Sequence, residues 1–181
     1  MTVLIAGLAL WWGAHLFKRL FPGPRAAMGD KGKAVMAVLL LLSVVLMVVG
    51  YRSADVIVVW SPPTFMTHIN NTLMLLAVYF FAADGLKTAL VRKVRHPQLT
   101  GVKTWAVAHL LVNGDLASIV LFGGMLAWAV VSVIVINRAQ PGWTPPPPAP
   151  ARKEIIAVVG TLVGVVVIML IHNWLGIQPW G

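Results

Sequence analysis

The sequence predicts an all-α protein: a polytopic transmembrane helix bundle of about six spans, with both termini outside the cytoplasm. Hydrophobic residues make up 59% of the chain and charged residues only 10%, a balance that indicates a membrane protein and not a soluble one. The apolar residues form six long runs, and the basic residues collect in the connections between them. The net charge of +9 is therefore a topology signal, and nucleic-acid binding is not expected.

Each apolar run approaches the roughly 20 residues that a helix needs to cross a bilayer, so the chain is expected to form one transmembrane domain over residues 1–181. The predicted spans are 2–21, 34–51, 65–84, 98–113, 116–136 and 155–174. The first run has no basic residues ahead of it and no evident cleavage site, so we expect a retained helix and not a signal peptide. The fourth and fifth runs are nearly continuous, and the turn-forming residues Asn113, Gly114 and Asp115 divide them.

The basic residues determine the predicted orientation. Three connections, with the helix ends beside them, hold every Lys and Arg except Arg52: 21–33, 85–97 and 137–154. The positive-inside rule makes these connections cytoplasmic and leaves the 51–64 and 113–115 turns outside. Residues 137–153 are rich in proline and are predicted to form an extended cytoplasmic linker, with binding of a partner as the alternative.

Two histidines, His15 and His109, fall inside predicted spans, where an imidazole in hydrocarbon has to find a partner. The chain has no cysteine and only five carboxylates, which lie at span ends or in loops. This composition excludes iron–sulfur clusters and argues against a two-carboxylate acid/base site or a di-iron cluster. Haem iron is the favoured partner, because two neutral imidazoles from different helices can bind opposite faces of a flat macrocycle. The alternative is that His15 only bonds a neighbouring helix.

Residues one helical turn away extend this predicted haem site. Lys18 and Arg19 follow the first histidine toward the cytoplasmic end and are expected to meet the haem propionates, with lipid phosphate as their alternative partner. Trp105 and Asn113 share the helix face of the second histidine.

The other three histidines are less favoured as metal ligands. His96 precedes a proline that starts span four, which is typical of a residue at the aqueous rim. His68 starts span three and His172 ends span six, so both are predicted near the outer surface, where an interfacial role is the better interpretation.

The segment Arg95–Ala117, RHPQLTGVKTWAVAHLLVNGDLA, resembles the signature of the NnrU family of bacterial membrane proteins. The early GAH at 13–15 and PGPR at 22–25 resemble that family's first helix and loop. The resemblance covers most of residues 1–136 and implies a multi-pass protein of the bacterial inner membrane. It also implies a role in denitrification, in the production or maturation of nitrite and nitric oxide reductases.

The same family is similar to plant 15-cis-zeta-carotene isomerase, an integral membrane protein. That similarity implies haem b as the cofactor, with iron held by the histidines that match His15 and His109. The plant branch has a cysteine one turn before the second ligand, considered an alternative iron ligand, where this chain has Ala106. A switch to a thiolate ligand is therefore impossible in this chain.

Two function classes follow, and a third stays open. The first is a haem b redox or sensing component that supports denitrification, with the quinone pool or nitrogen-oxide reductase assembly factors as partners. The second is a haem-dependent cis–trans isomerase of apolar, carotenoid-like polyenes, in which reduction opens one axial position. The third is a haem-free structural protein of the lipid bilayer. Bis-histidine ligation that persists on reduction favours the first class, and a five-coordinate reduced iron favours the second.

Overall fold

The structure, a computed structural model, describes residues 1–179. Over these residues the chain forms helices and no strand, so the predicted all-α class is confirmed. The seven α-helices are α1 (Thr2–Leu20), α2 (Pro22–Ala27), α3 (Lys31–Arg52), α4 (Met66–Leu86), α5 (Pro97–Val112), α6 (Leu116–Ala139) and α7 (Ala151–Trp174).

Five of the helices, α1, α3, α4, α6 and α7, are long and apolar enough to cross a membrane, which is one fewer than the predicted six. The difference lies in α5, which has 16 residues and is therefore only about 24 Å long. Proline at its first turn and Asn113 at its C-cap limit its length. α5 packs against both α4 and α6 and extends from one end of the bundle toward the other.

Hydrogen bonds bring several connections together at one end of the bundle. We call it the opposite end, because it lies away from the basic end that is described next. The backbone N–H of Leu116 donates to the Ile57 carbonyl at 2.8 Å, which joins the α5–α6 turn to the α3–α4 connection. The Asn71 side chain at the start of α4 donates to the Pro179 carbonyl at 3.2 Å. The first turn of α1 lies there too, because Leu4 packs directly on Gly50 near the end of α3.

The connections rich in Lys and Arg meet at the other end, which we call the basic end. Glu154, at the start of α7, accepts hydrogen bonds from the Tyr79 hydroxyl at 2.9 Å and from the backbone N–H of Ala89. The Arg95 guanidinium donates to the carbonyls of Gln140 and Pro141, where the non-helical linker begins. The two-sided arrangement of connections follows the predicted topology, and which side faces the cytoplasm stays a prediction.

α6 forms the centre of the bundle. Trp128, Met125 and Ala129 of α6 pack with Leu4 and Leu8 of α1 in the main buried cluster. On another side α6 packs against α5, and α4 then joins α5 to α7. The helices α1 and α5, which carry the intramembrane histidines, thus both pack against α6. The candidate site lies in the space between α1 and α5.

Candidate functional site

A cavity of about 710 Å³ opens between α1, α5 and α6 toward the basic end. This volume falls within the range of about 300–1,000 Å³ that is typical of ligand pockets. Three tryptophans contribute to its wall, Trp11 from α1, Trp105 from α5 and Trp128 from α6. The cavity is therefore suited to a flat apolar ligand.

Charged side chains lie on the rim of this cavity. Arg19 comes from the last turn of α1, and Arg95 comes from the segment before α5. Asp84 also lines the rim, but its carboxylate forms an ion pair with Lys87 at 3.1 Å. The two arginines consequently leave the rim with a positive balance, which favours a ligand that carries anionic groups.

His15 lies in the cavity wall with a fixed ring orientation. Its Nδ1 lies 3.1 Å from the carbonyl oxygen of Trp11, one turn earlier on α1. Since a carbonyl can only accept, this contact puts the proton on Nδ1 and leaves a lone pair on Nε2. The ring packs between two indoles, with centroid distances of 4.1 Å to Trp11 and 4.7 Å to Trp128. A ring held in this way by a backbone carbonyl is typical of histidines that bind metal through the other nitrogen.

His109 repeats this arrangement on α5. Its Nδ1 lies 3.0 Å from the Trp105 carbonyl, and its ring packs on Trp105 at 5.3 Å and on Phe122 at 4.6 Å. The Asn113 side chain donates to the His109 carbonyl at 2.8 Å and so supports the end of the helix. Both intramembrane histidines thus have a tryptophan at i−4, a carbonyl-bound Nδ1 and a lone pair on Nε2.

The two histidines differ in their relation to the cavity. His15 lines it, whereas His109 lies outside the lining, behind Trp105. Their rings contact α6 at Trp128 and Phe122, which are six residues or about 9 Å apart along the helix axis. Within residues 1–179 no three His, Cys, Asp or Glu side chains are grouped closely enough to hold a metal ion.

The remaining residues of the predicted site separate into two groups. Arg19 and Trp105 line the cavity, as described above, while Lys18 is exposed and lies outside the lining. His96 also lines the cavity, although its Nε2 is 2.8 Å from the Asn137 Oδ1 of α6. It stands at the N-cap of α5, directly before the proline that starts the helix.

The two histidines predicted near the outer surface lie away from this cavity. His68 is exposed near the start of α4 and borders a shallow depression of about 270 Å³ with Thr72. His172 lies in the last turn of α7, and its Nδ1 is 2.8 Å from the Ile168 carbonyl.

Sequence reasoning missed the contribution of α6 to the site. Trp128 contacts His15, Phe122 contacts His109, and Asn137 contacts His96. These three are among the few aromatic or amide side chains in a mostly aliphatic helix. Their rarity was the sequence signal that could have pointed to α6 as part of the site. Which neighbour each of them meets depends on how the helices pack, and periodicity along one helix does not contain that information.

The comparisons with known proteins give one match. A family model described as NnrU protein matches residues 3–179, nearly the whole chain. No curated protein and no solved structure gives a match.

Proposed function

Because the chain belongs to the NnrU family, we propose that it is a haem b-binding membrane protein that supports denitrification through a redox or sensing role of a bis-histidine haem. One observation carries the haem part of this proposal. His15 and His109, on different helices, each bond a backbone carbonyl through Nδ1 and keep the Nε2 lone pair for a ligand bond. The denitrification part rests on the family resemblance.

The cavity supports haem b as the ligand. Its apolar wall of three indoles suits the macrocycle, and Arg19 and Arg95 on the rim suit the two propionates. The indole nitrogens of Trp11 and Trp128 are buried without a hydrogen-bond partner among residues 1–179. Buried N–H groups are normally satisfied, so these two are further donors that a bound cofactor could satisfy after small side-chain movements.

His15 would hold the iron from within the cavity, and His109 would be the second protein ligand. Trp105 lines the cavity and also contacts His109, so its side chain would have to turn aside for the second bond to form. When bound, haem supplies one-electron redox chemistry. The protein residues would orient both imidazoles, hold the propionates at the basic end and exclude water from the ring.

The cofactor part is tested by optical spectra of the detergent-purified protein, oxidised and then reduced with dithionite. His15→Ala or His109→Ala should lose the low-spin bis-imidazole absorption, because each removes one axial nitrogen. His68→Ala, away from the cavity, is the matched control and should keep it; His96→Ala should also keep it, because the His96 Nε2 already contacts Asn137. Unchanged haem spectra in both core variants would show that the ligand assignment is wrong.

The reduced spectrum also separates the two haem functions. A six-coordinate reduced iron supports the redox or sensing role, and a five-coordinate reduced iron supports the isomerase. The fully buried Ala106 provides no thiolate that could take over as a ligand. This position therefore favours the redox or sensing role.

The physiological part is tested in a deletion strain under denitrifying conditions. The strain should accumulate nitrite or nitric oxide, and the wild-type gene should restore their reduction. The His109→Ala gene should not restore it, even when the variant reaches the membrane at normal abundance. Full rescue by this variant would separate the family role from haem chemistry. A cis polyene that accumulates in the same strain would instead support the isomerase.

A further inference from the structure

The connection between α3 and α4 contains an unusual surface, which we call the apolar strap, residues 56–60 (VIVVW). The backbone of these five residues is not helical. All five side chains are apolar and at least one-third exposed, with Val56 81% and Val58 66% exposed. Connections between helices normally carry polar residues when they face water. A continuous exposed apolar segment at this place indicates a contact surface.

The strap is held in place by its backbone. The N–H groups of Val59 and Trp60 donate to the Gly114 carbonyl at 2.8 and 3.1 Å, and the Ile57 carbonyl accepts from Leu116 at 2.8 Å. A Cβ at Gly114 would lie 1.9 Å from the Trp60 carbonyl oxygen, so only glycine permits this close approach. The strap is thus fixed on the α5–α6 turn, with residues 56–59 each more than half exposed and the Trp60 side chain close to Gly114.

Exposed apolar residues also occur on the two helices that flank the strap. Val48 and Val49, in the last turns of α3, are each more than half exposed. Phe65 and Ile69 continue the exposed apolar surface onto α4. No Asp, Glu, Lys or Arg occurs from residue 56 to residue 83, so no fixed charge lies between the strap and α4, whereas Arg52 and Asp55 separate the strap from the apolar part of α3.

We propose that the apolar strap lies in the lipid bilayer, at the boundary between headgroups and acyl chains at the opposite end of the bundle. Extended backbone is excluded from the centre of the hydrocarbon because its polar groups would stay unsatisfied. The boundary tolerates it because water and headgroups there can bond the remaining backbone groups, while the α5–α6 turn pairs the N–H groups of Val59 and Trp60 and the carbonyl of Ile57. Trp60 has the amphipathic ring that this depth favours, and the charged Arg52 and Asp55 remain in the headgroup region. The bilayer therefore supports the turn that directly follows the His109 helix.

The natural chain has no cysteine, so a single introduced cysteine can be labelled without background. Val58→Cys would carry a nitroxide in vesicles of phosphatidylcholine and phosphatidylglycerol at a low protein-to-lipid ratio. Power-saturation electron paramagnetic resonance then compares its accessibility to apolar oxygen and to a water-soluble nickel chelate. Val48→Cys on α3 is the lipid reference, and Thr144→Cys in the exposed linker is the water reference.

The Val58 label should be severalfold more accessible to oxygen, relative to nickel, than the Thr144 label, and should approach the Val48 label. A ratio equal to that of Thr144 would place the strap in water and overturn the proposal. Low accessibility to both reagents would mean that a second copy of the chain covers the strap, which would also overturn it. If Val58→Cys does not fold, as judged by circular dichroism, Val56→Cys provides the same comparison from the most exposed strap residue. No haem is needed, so this test is independent of the proposed function.

Discussion

Replacement of Gly50 by alanine tests whether α1 and α3 pack as closely as the structure shows. A Cβ built on Gly50 would lie 2.3 Å from the backbone nitrogen of Leu4 and 2.6 Å from its Cα. Ordinary contact begins near 3.4 Å, so α1 has to retreat by about 1 Å at this point. The obstructing atoms are backbone, and a change of rotamer therefore cannot relieve the contact.

Two opposing effects determine the expected free energy of unfolding. Overpacking of this kind costs about 1–3 kcal/mol. Alanine in a helix interior is better than glycine by about 0.5–1 kcal/mol. The net expectation for Gly50→Ala is a loss of up to about 2.5 kcal/mol. Gly13→Ala is the matched control on α1, because nothing lies within 4 Å of the Cβ it would add. It should gain up to about 1 kcal/mol from helix propensity alone.

Titration with sodium dodecyl sulfate in mixed micelles, followed by circular dichroism, measures both variants against the wild type. The absorption of any bound haem provides a second readout, because α1 carries His15 and a displaced α1 should weaken haem retention. Equal stability of Gly50→Ala and Gly13→Ala would refute the close α1–α3 contact.

Two further predictions concern topology and capping. A reporter fused after Gly181 should register as non-cytoplasmic and one in the 85–97 connection as cytoplasmic, because basic connections stay on the cytoplasmic side. Reversed signals would overturn this orientation. Asp115→Ala should lower the free energy of unfolding by about 0.5–2 kcal/mol, the usual cost of a lost N-cap. The Asp115 carboxylate accepts from the Ser118 N–H at 2.9 Å and from the Ser118 hydroxyl at 2.5 Å. Asp115→Asn should therefore lose less stability than Asp115→Ala. Equal losses of stability would contradict the capping role.

The sequence predicted the helical class because long apolar runs and grouped basic residues are direct consequences of the bilayer. It did not predict α2, a six-residue helix inside the first basic connection, because such a short segment has no periodicity to detect. It placed α5 at 98–113, within one residue of the observed Pro97–Val112, but counted it as a full span, although a 16-residue helix of about 24 Å is shorter than the roughly 30 Å hydrocarbon core.

The site was predictable along each helix but not between helices. Composition and spacing identified His15 and His109 as unusual polar groups in apolar helices, and both have the same carbonyl-bound ring. The cavity depends on packing, since Trp128 and the rim residue Arg95 reach it from other elements. That both histidines bind one haem stays a prediction, because His109 lies outside the cavity lining.

Both histidine helices contact α6, and the positions of these contacts on α6 determine how far apart the two histidines lie. His15 contacts Trp128, and His109 contacts Phe122. At 3.6 residues per turn these two positions are about 120° apart around the axis of α6, so α1 and α5 approach it from different sides. One residue inserted between positions 122 and 128 would rotate one contact by about 100° relative to the other and lengthen their separation by about 1.5 Å. The number of residues between positions 122 and 128 of α6, more than their identity, therefore sets the distance between His15 and His109. Any ligand that binds both histidines has to span this distance.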